Sequence, residues 1–195
     1  MKRLAVVLLL VGCLALATGC VSTLAKAGLG EVLQFKTRFL ELEGGSAAWT
    51  TYEAIELGQI GDEPVRGLTP ADLKAELVPL AAQQLGKGRF FKRVGGSGPE
   101  KTLLVTGQII DFCAGSSAGA RAVGFGDKPS ILVKTTFLDK HSGKALATAN
   151  LQSTADSLRD WTQVVSRGYG KSIEKYLESK GLKKLPEEKA PAAAR

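Results

Sequence analysis

Thr102-Leu103-Leu104-Val105-Thr106-Gly107-Gln108-Ile109-Ile110-Asp111-Phe112 is the stretch that decides the fold. Side chains alternate along an extended chain, so Leu103, Val105 and Ile109 fall on one face and Leu104, Ile110 and Phe112 on the other. With both faces largely apolar, the pattern predicts a strand in the middle of a sheet. Downstream, Ile131 to Leu138 and Ala145 to Ser153 read as a hairpin closed by Asp139-Lys140-His141-Ser142-Gly143-Lys144. Upstream, Phe90, Phe91 and Val94 make a short strand. Before it lies a helix with Thr69 as N-cap, Pro70 at its first position, and Leu73, Leu77, Leu80 and Leu85 on one stripe. Pro79 is expected to kink that helix, and Gly86 and Gly88 to stop it.

Trp49 to Ile60 alternates as a strand. Phe35 to Glu43 fits an edge strand or a short helix, and periodicity leaves both open. A final helix from Leu158 to Lys180 carries Trp161, Val165, Tyr169, Ile173 and Leu177 four residues apart, weakened by Gly168 and Gly170 and capped by Gly181. The predicted fold is therefore α/β (α+β), a mixed sheet of about five strands covered by two amphipathic helices.

The chain has 195 residues, 44% hydrophobic and 6% aromatic, with 23 Gly and 7 Pro. That composition excludes collagen, low-complexity disorder and a polytopic membrane protein, and the length suits one folded domain. Three Cys and one His supply too few soft ligands for a zinc knuckle or a disulfide framework, so neither metal nor cofactor is expected. No internal repeat is visible.

Met1-Lys2-Arg3 followed by the apolar run from Leu4 to Ala17 reads as a secretory signal, too short to span a bilayer comfortably. Leu16-Ala17-Thr18-Gly19-Cys20 resembles the lipobox of bacterial lipoproteins. The resemblance implies cleavage after Gly19 and acylation of Cys20. Each buried methylene adds about 0.8 kcal/mol, so two or three acyl chains hold a protein at a membrane where one would not. By resemblance to enteric lipoproteins, Val21 in place of Asp after the anchor implies transfer to the outer membrane, with the domain facing the periplasm. The reading divides the chain into a signal at 1–19, a lipidated Cys and small-residue tether at 20–45, one α/β domain at 46–182, and a disordered Ala-, Pro- and charge-rich tail at 183–195. Cleavage takes Lys2 and Arg3 from 26 basic and 19 acidic residues, leaving a mildly basic form. The cations are scattered and no basic-aromatic motif recurs, so nucleic acid is not an expected partner.

The least ordinary segment is Ala114 to Lys128, with Gly115, Gly119, Arg121, Gly124, Phe125, Gly126 and Asp127. Glycines let backbone approach a ligand, and Arg121 can pair with phosphate or carboxylate. The segment lies between two strands, whereas a dinucleotide loop needs a helix after it. It reads first as a self-packed connection, next as an assembly contact, and last as a phosphate site. Arg121, Gly124, Phe125 and Gly126 are the candidate binding residues. His141 reads as a solvated turn residue, since a Ser-His-Asp relay must converge in space and here Asp139, His141 and Ser142 share one turn. Cys113 reads as a small hydrophobe at a strand end.

From Leu103 to Leu151 the chain resembles a family of bacterial lipoproteins with a domain of unknown function. The residues concerned are Val105-Thr106-Gly107, Arg121 with Gly124-Phe125-Gly126, the strand Ile131 to Leu138, and Asp139 with Ser142-Gly143-Lys144. The resemblance implies a fold similar to the curli secretion lipoprotein and the activators of penicillin-binding proteins, and it implies partner binding in place of catalysis. The expected function is thus a lipid-anchored periplasmic module that binds an envelope protein or glycan. The alternatives are a small-ligand or anion binder at Arg121, and an envelope hydrolase using His141, Asp111 or Asp127.

Overall fold

The computed structural model describes residues 35–45, 47–63, 69–96, 98, 100–116, 127–156 and 160–186. Cys20 with the signal and lipobox, the loop residues Arg121, Gly124, Phe125 and Gly126, and the tail beyond Pro186 lie outside the described residues.

In chain order the elements are β1 (Phe35–Gly44), a 3-10 turn (Trp49–Thr51), β2 (Ala54–Asp62), α1 (Ala71–Gly88), β3 (Arg93–Val94), β4 (Thr102–Cys113), β5 (Ser130–Asp139), β6 (Ala145–Ala155) and α2 (Trp161–Ser179). The sheet order is β1-β6-β5-β4-β2-β3. β2 runs parallel to β3 and β4, while β4, β5, β6 and β1 pair antiparallel. The fold is therefore the expected α+β arrangement of a mixed sheet with two helices, with six strands. Phe35–Gly44, which sequence periodicity leaves as strand or helix, is the edge strand, and it belongs to the compact unit Gln34–Arg195.

β4 lies between β2 and β5 inside the sheet. Leu103, Val105 and Ile109 are buried against the helices. Simple alternation places Phe112 on the face of Leu104, but a bulge intervenes: the register passes from Ile109↔Val133 to Asp111↔Leu132. One extra residue reverses the facing of everything after it, so Phe112 returns opposite Ile131 and packs on the core.

The α1 stripe consists of Leu73, Leu77, Ala81 and Leu85; Leu80 stands half-buried beside it. Val165, Tyr169, Ile173 and Leu177 of α2 are buried throughout, as their four-residue spacing predicts. Together these stripes cover Ile55, Val105, Val133, Phe137 and Leu151. Gly170, expected only to weaken α2, lets that helix lie directly against the α1 backbone: a Cβ there would sit 2.6 Å from the Ala81 carbonyl oxygen.

Several predicted ends move. Trp49 lies in the 3-10 turn, so β2 begins five residues after it. Pro70 takes the N-cap place of α1, because the Thr69 hydroxyl donates to Asp62 across the loop instead of capping. Gly86 and Gly88 stay helical, and Arg89 supplies the left-handed C-cap residue at φ 59°. Its guanidinium donates to the Pro186 carbonyl at 2.8 Å, and its own carbonyl accepts from the Leu185 amide at 2.7 Å. Gly181 does end α2, at φ 88°, with its amide on the Glu178 carbonyl and the Leu182 amide on the Leu177 carbonyl.

Candidate functional site

Asp139, the last residue of β5, organises the end of the sheet where β2 and β4 begin. Its Oδ1 accepts from the His141 amide (3.1 Å), the Ser142 amide (2.8 Å) and the Ser142 hydroxyl (3.0 Å). This is an Asx-type turn, in which a side-chain carboxylate substitutes for a backbone acceptor. Its Oδ2 accepts the Tyr52 hydroxyl at 2.8 Å. The Ser142 amide, the Tyr52 and Ser142 hydroxyls and nearby Lys101 outweigh partial burial and hold the carboxyl at a pKa of about 2. Burial first, and then the Asp139 carboxylate, push the Tyr52 phenol up to about 12.

The Lys101 ammonium stands 4.5 Å from the Tyr52 ring centroid, donates to the Thr51 hydroxyl at 3.2 Å, and lies 3.9 Å from Asp139 Oδ2. Tyr52, Lys101 and Asp139 form a wall between two clefts. One, of about 540 Å³, is lined by Glu100, Lys101, Thr102, Asp139, Lys140 and His141. The other, of about 440 Å³, includes Tyr52, Glu53, Phe90, Lys92, Lys183 and Lys184 in its lining. Three neighbouring carboxylates are engaged by cations: Glu53 by Lys92, Glu56 by Lys140 and Glu100 by Arg93. The Lys184 ammonium sits 5.6 Å from the Phe90 ring centroid. Both rings are largely buried, and each has a lysine ammonium over it at the cleft.

His141 is exposed in the turn. The hydroxyl of Ser142 is directed to Asp139, so the three residues of this turn make a structural clasp and not a nucleophile-base relay. Asp111 is half-buried on β4. Asp127 and Ser116 close the base of the glycine-rich segment, the Ser116 amide donating to the Asp127 carbonyl and the Asp127 amide to the Ser116 hydroxyl, both at 2.9 Å. That base adjoins the pair Cys113↔Ser130, at the opposite end of β4 and β5 from Leu103↔Asp139, roughly 30 Å away at 3.4 Å per residue. Cys113 is a free, half-buried thiol whose sulfur accepts the Gly115 amide.

The Tyr52, Lys101 and Asp139 wall escaped the sequence reading because Tyr52 and Asp139 lie 87 positions apart. The only local signal is Asp139 with Ser142-Gly143, the turn chemistry of the hairpin. Among the described residues, no group of three or more His, Cys, Asp or Glu is placed to hold a metal ion, and no helix is long and apolar enough to cross a membrane.

No family model and no curated protein matches the chain. Among solved structures, it is similar to the PelC dodecamer from Paraburkholderia phytofirmans. The likeness is 15% identity and a TM-score of 0.45, covering 71% of this chain and 96% of that one. A variant PelC dodecamer from the same organism is 12% identical over the same shares, with a TM-score of 0.43. PelC is a different protein from the curli-type and penicillin-binding-protein-activator lipoproteins whose fold the family resemblance implies.

Proposed function

We propose that this chain is a membrane-tethered binding module of the bacterial envelope, lipidated on Cys20 and facing the periplasm. In this reading the amine-lined clefts around Tyr52, Lys101 and Asp139 hold an acidic envelope glycan. The lipobox-like run before Cys20 supports the tether. One observation carries the binding reading: Lys101 is held over the Tyr52 ring between the clefts, while both oxygens of the adjacent Asp139 are already spent on Ser142, His141 and Tyr52. Asp139 Oδ2 lies 3.9 Å from the Lys101 ammonium, beyond hydrogen-bond reach, so the amine keeps donors for an incoming carboxylate or phosphate. Lys183 and Lys184 extend the positive lining into the second cleft, which suits a ligand with repeated negative charges. Arg121, Gly124, Phe125 and Gly126 are proposed as a second contact, reached from the far end of β4. A hydrolase using His141 gains no support from a turn whose serine and aspartate are bonded to each other.

The test titrates the full-length lipoprotein in detergent with a polyuronate, a neutral glucan and a polyglutamate peptide. The reading expects polyuronate to bind best, and Lys101→Glu with Lys184→Glu to weaken it roughly tenfold or more at low salt. Equal binding of the neutral glucan, or no loss in the double variant, overturns the site. Preference for polyglutamate transfers the site to a protein partner.

A further inference from the structure

β1 ends the sheet: it pairs with β6 on one side, and among the described residues nothing pairs with its other edge. It is ten residues long, without proline, and exposes Phe39 (42%), Leu40 (63%) and Leu42 (45%). Long apolar edges are templates for pairing with another strand. The strand is fixed from behind by α2. Phe39 meets the Tyr176 ring edge-on at 5.6 Å, and Glu41 accepts from Lys180 at 2.6 Å and from the Tyr176 hydroxyl at 3.1 Å. An edge already held in place loses little freedom when a partner strand adds to it.

Charge along the strand selects the partner. Lys36 and Arg38 occupy its first half and Glu41 and Glu43 its second. A parallel, in-register copy would set like charges side by side, whereas an antiparallel copy sets opposite charges together. Arg38 and Glu43 are exposed, and neither forms an ion pair among the described residues. Glu41 opposes Ala149 on the helix-covered face, and the register shift at Leu42 turns Glu43 opposite Thr148, onto the outer face that carries Arg38 and Leu40.

We infer that β1 pairs antiparallel with β1 of a second copy of this chain, about a two-fold axis at Leu40, making one continuous sheet from two. Opposed residues of an antiparallel pair share a face, and a two-fold axis normal to the sheet keeps the faces in common. With Leu40 opposite Leu40, the bulge brings Arg38 of each copy opposite Glu43 of the other. The interface then has an apolar centre flanked by two ion pairs. This inference stands independently of the glycan reading, because it uses neither cleft.

Two experiments on the full chain test it. Leu40→Cys in a Cys113→Ala background, oxidised in cells, is expected to give a disulfide-linked dimer on a non-reducing gel, because that position faces itself. Lys134→Cys, exposed on β5, serves as the control. Equal cross-linking at both positions, or none at Leu40→Cys, overturns the inference. In detergent, sedimentation should show that Arg38→Glu or Glu43→Arg alone raises the dimer dissociation constant roughly tenfold or more, and that the two together restore it. A wild-type monomer at every concentration, or a dimer or larger assembly indifferent to these reversals, overturns it as well. Both residues are exposed, and circular dichroism confirms that each variant is folded.

Discussion

The β5–β6 turn and the seam between α1 and α2 each hold a carboxylate, and they treat it in opposite ways. Asp139 meets four donors at the turn and stays ionised down to about pH 2. Glu174 is wholly buried in the seam, against the end of α1 at Gly88. Lys171 bonds its Oε2, while Oε1 finds no partner in hydrogen-bonding geometry. Desolvation raises its pKa despite Lys171, Gln84 and Lys184. Hydrogen-bond donors at a wet surface stabilise charge; a close-packed seam tolerates it only where packing elsewhere compensates. The turn is thus built by polar geometry and the seam by steric fit.

The comparison breaks most readily in the seam. Gly170→Ala drives a methyl group into the Ala81 backbone, and overpacking of this kind costs about 2 kcal/mol, seen as a lower thermal midpoint. Gly86→Ala is its matched control on α1: nothing lies within 4 Å of the added methyl, so stability should rise by up to about 1 kcal/mol through helix propensity alone.

At the turn, Asp139→Asn places an amide against the Tyr52 hydroxyl and removes the charge beside Lys101. A carboxyl with a depressed folded pKa contributes stability that is complete above its unfolded value, 3.8, and is lost as pH falls to about 2. Denaturant curves should therefore show the variant less stable at pH 7 and equal to the wild type near pH 2. A constant difference across that window would mean that the charge is not what the turn uses.

Glu174→Gln should give the smallest effect, of opposite sign. A raised folded pKa means that the native state holds its proton above the unfolded value of 4.5, so stability is complete below that pH and declines as pH rises. The glutamine variant should match the wild type near pH 4 and exceed it slightly at pH 8. A variant less stable at pH 8 would make the Lys171 pair a net stabiliser of the seam.

Much of the fold was legible because its signals are local. The β4 run, the four-residue spacing of α2, the hairpin turn and Gly181 each depend on neighbours within a few positions. Where the reading missed, a distant partner decided. Thr69 was drawn off its cap by Asp62, Arg89 was held left-handed while Leu185 and Pro186 bonded to it, and a bulge turned Phe112 inward against Ile131. The glycines of α2 looked like weak points because helix propensity is all that sequence reports of them; at Gly170 the other helix supplies the reason.

The order of apolar and polar residues along the chain was enough to specify a mixed sheet with two amphipathic helices, since strand and helix periods are written in consecutive side chains. Tertiary structure alone decided which strands end that sheet, and it alone brought Tyr52, Lys101 and Asp139 into one wall. Those contacts join residues tens of positions apart, and their energies come from burial and alignment that exist only once the chain has closed on itself.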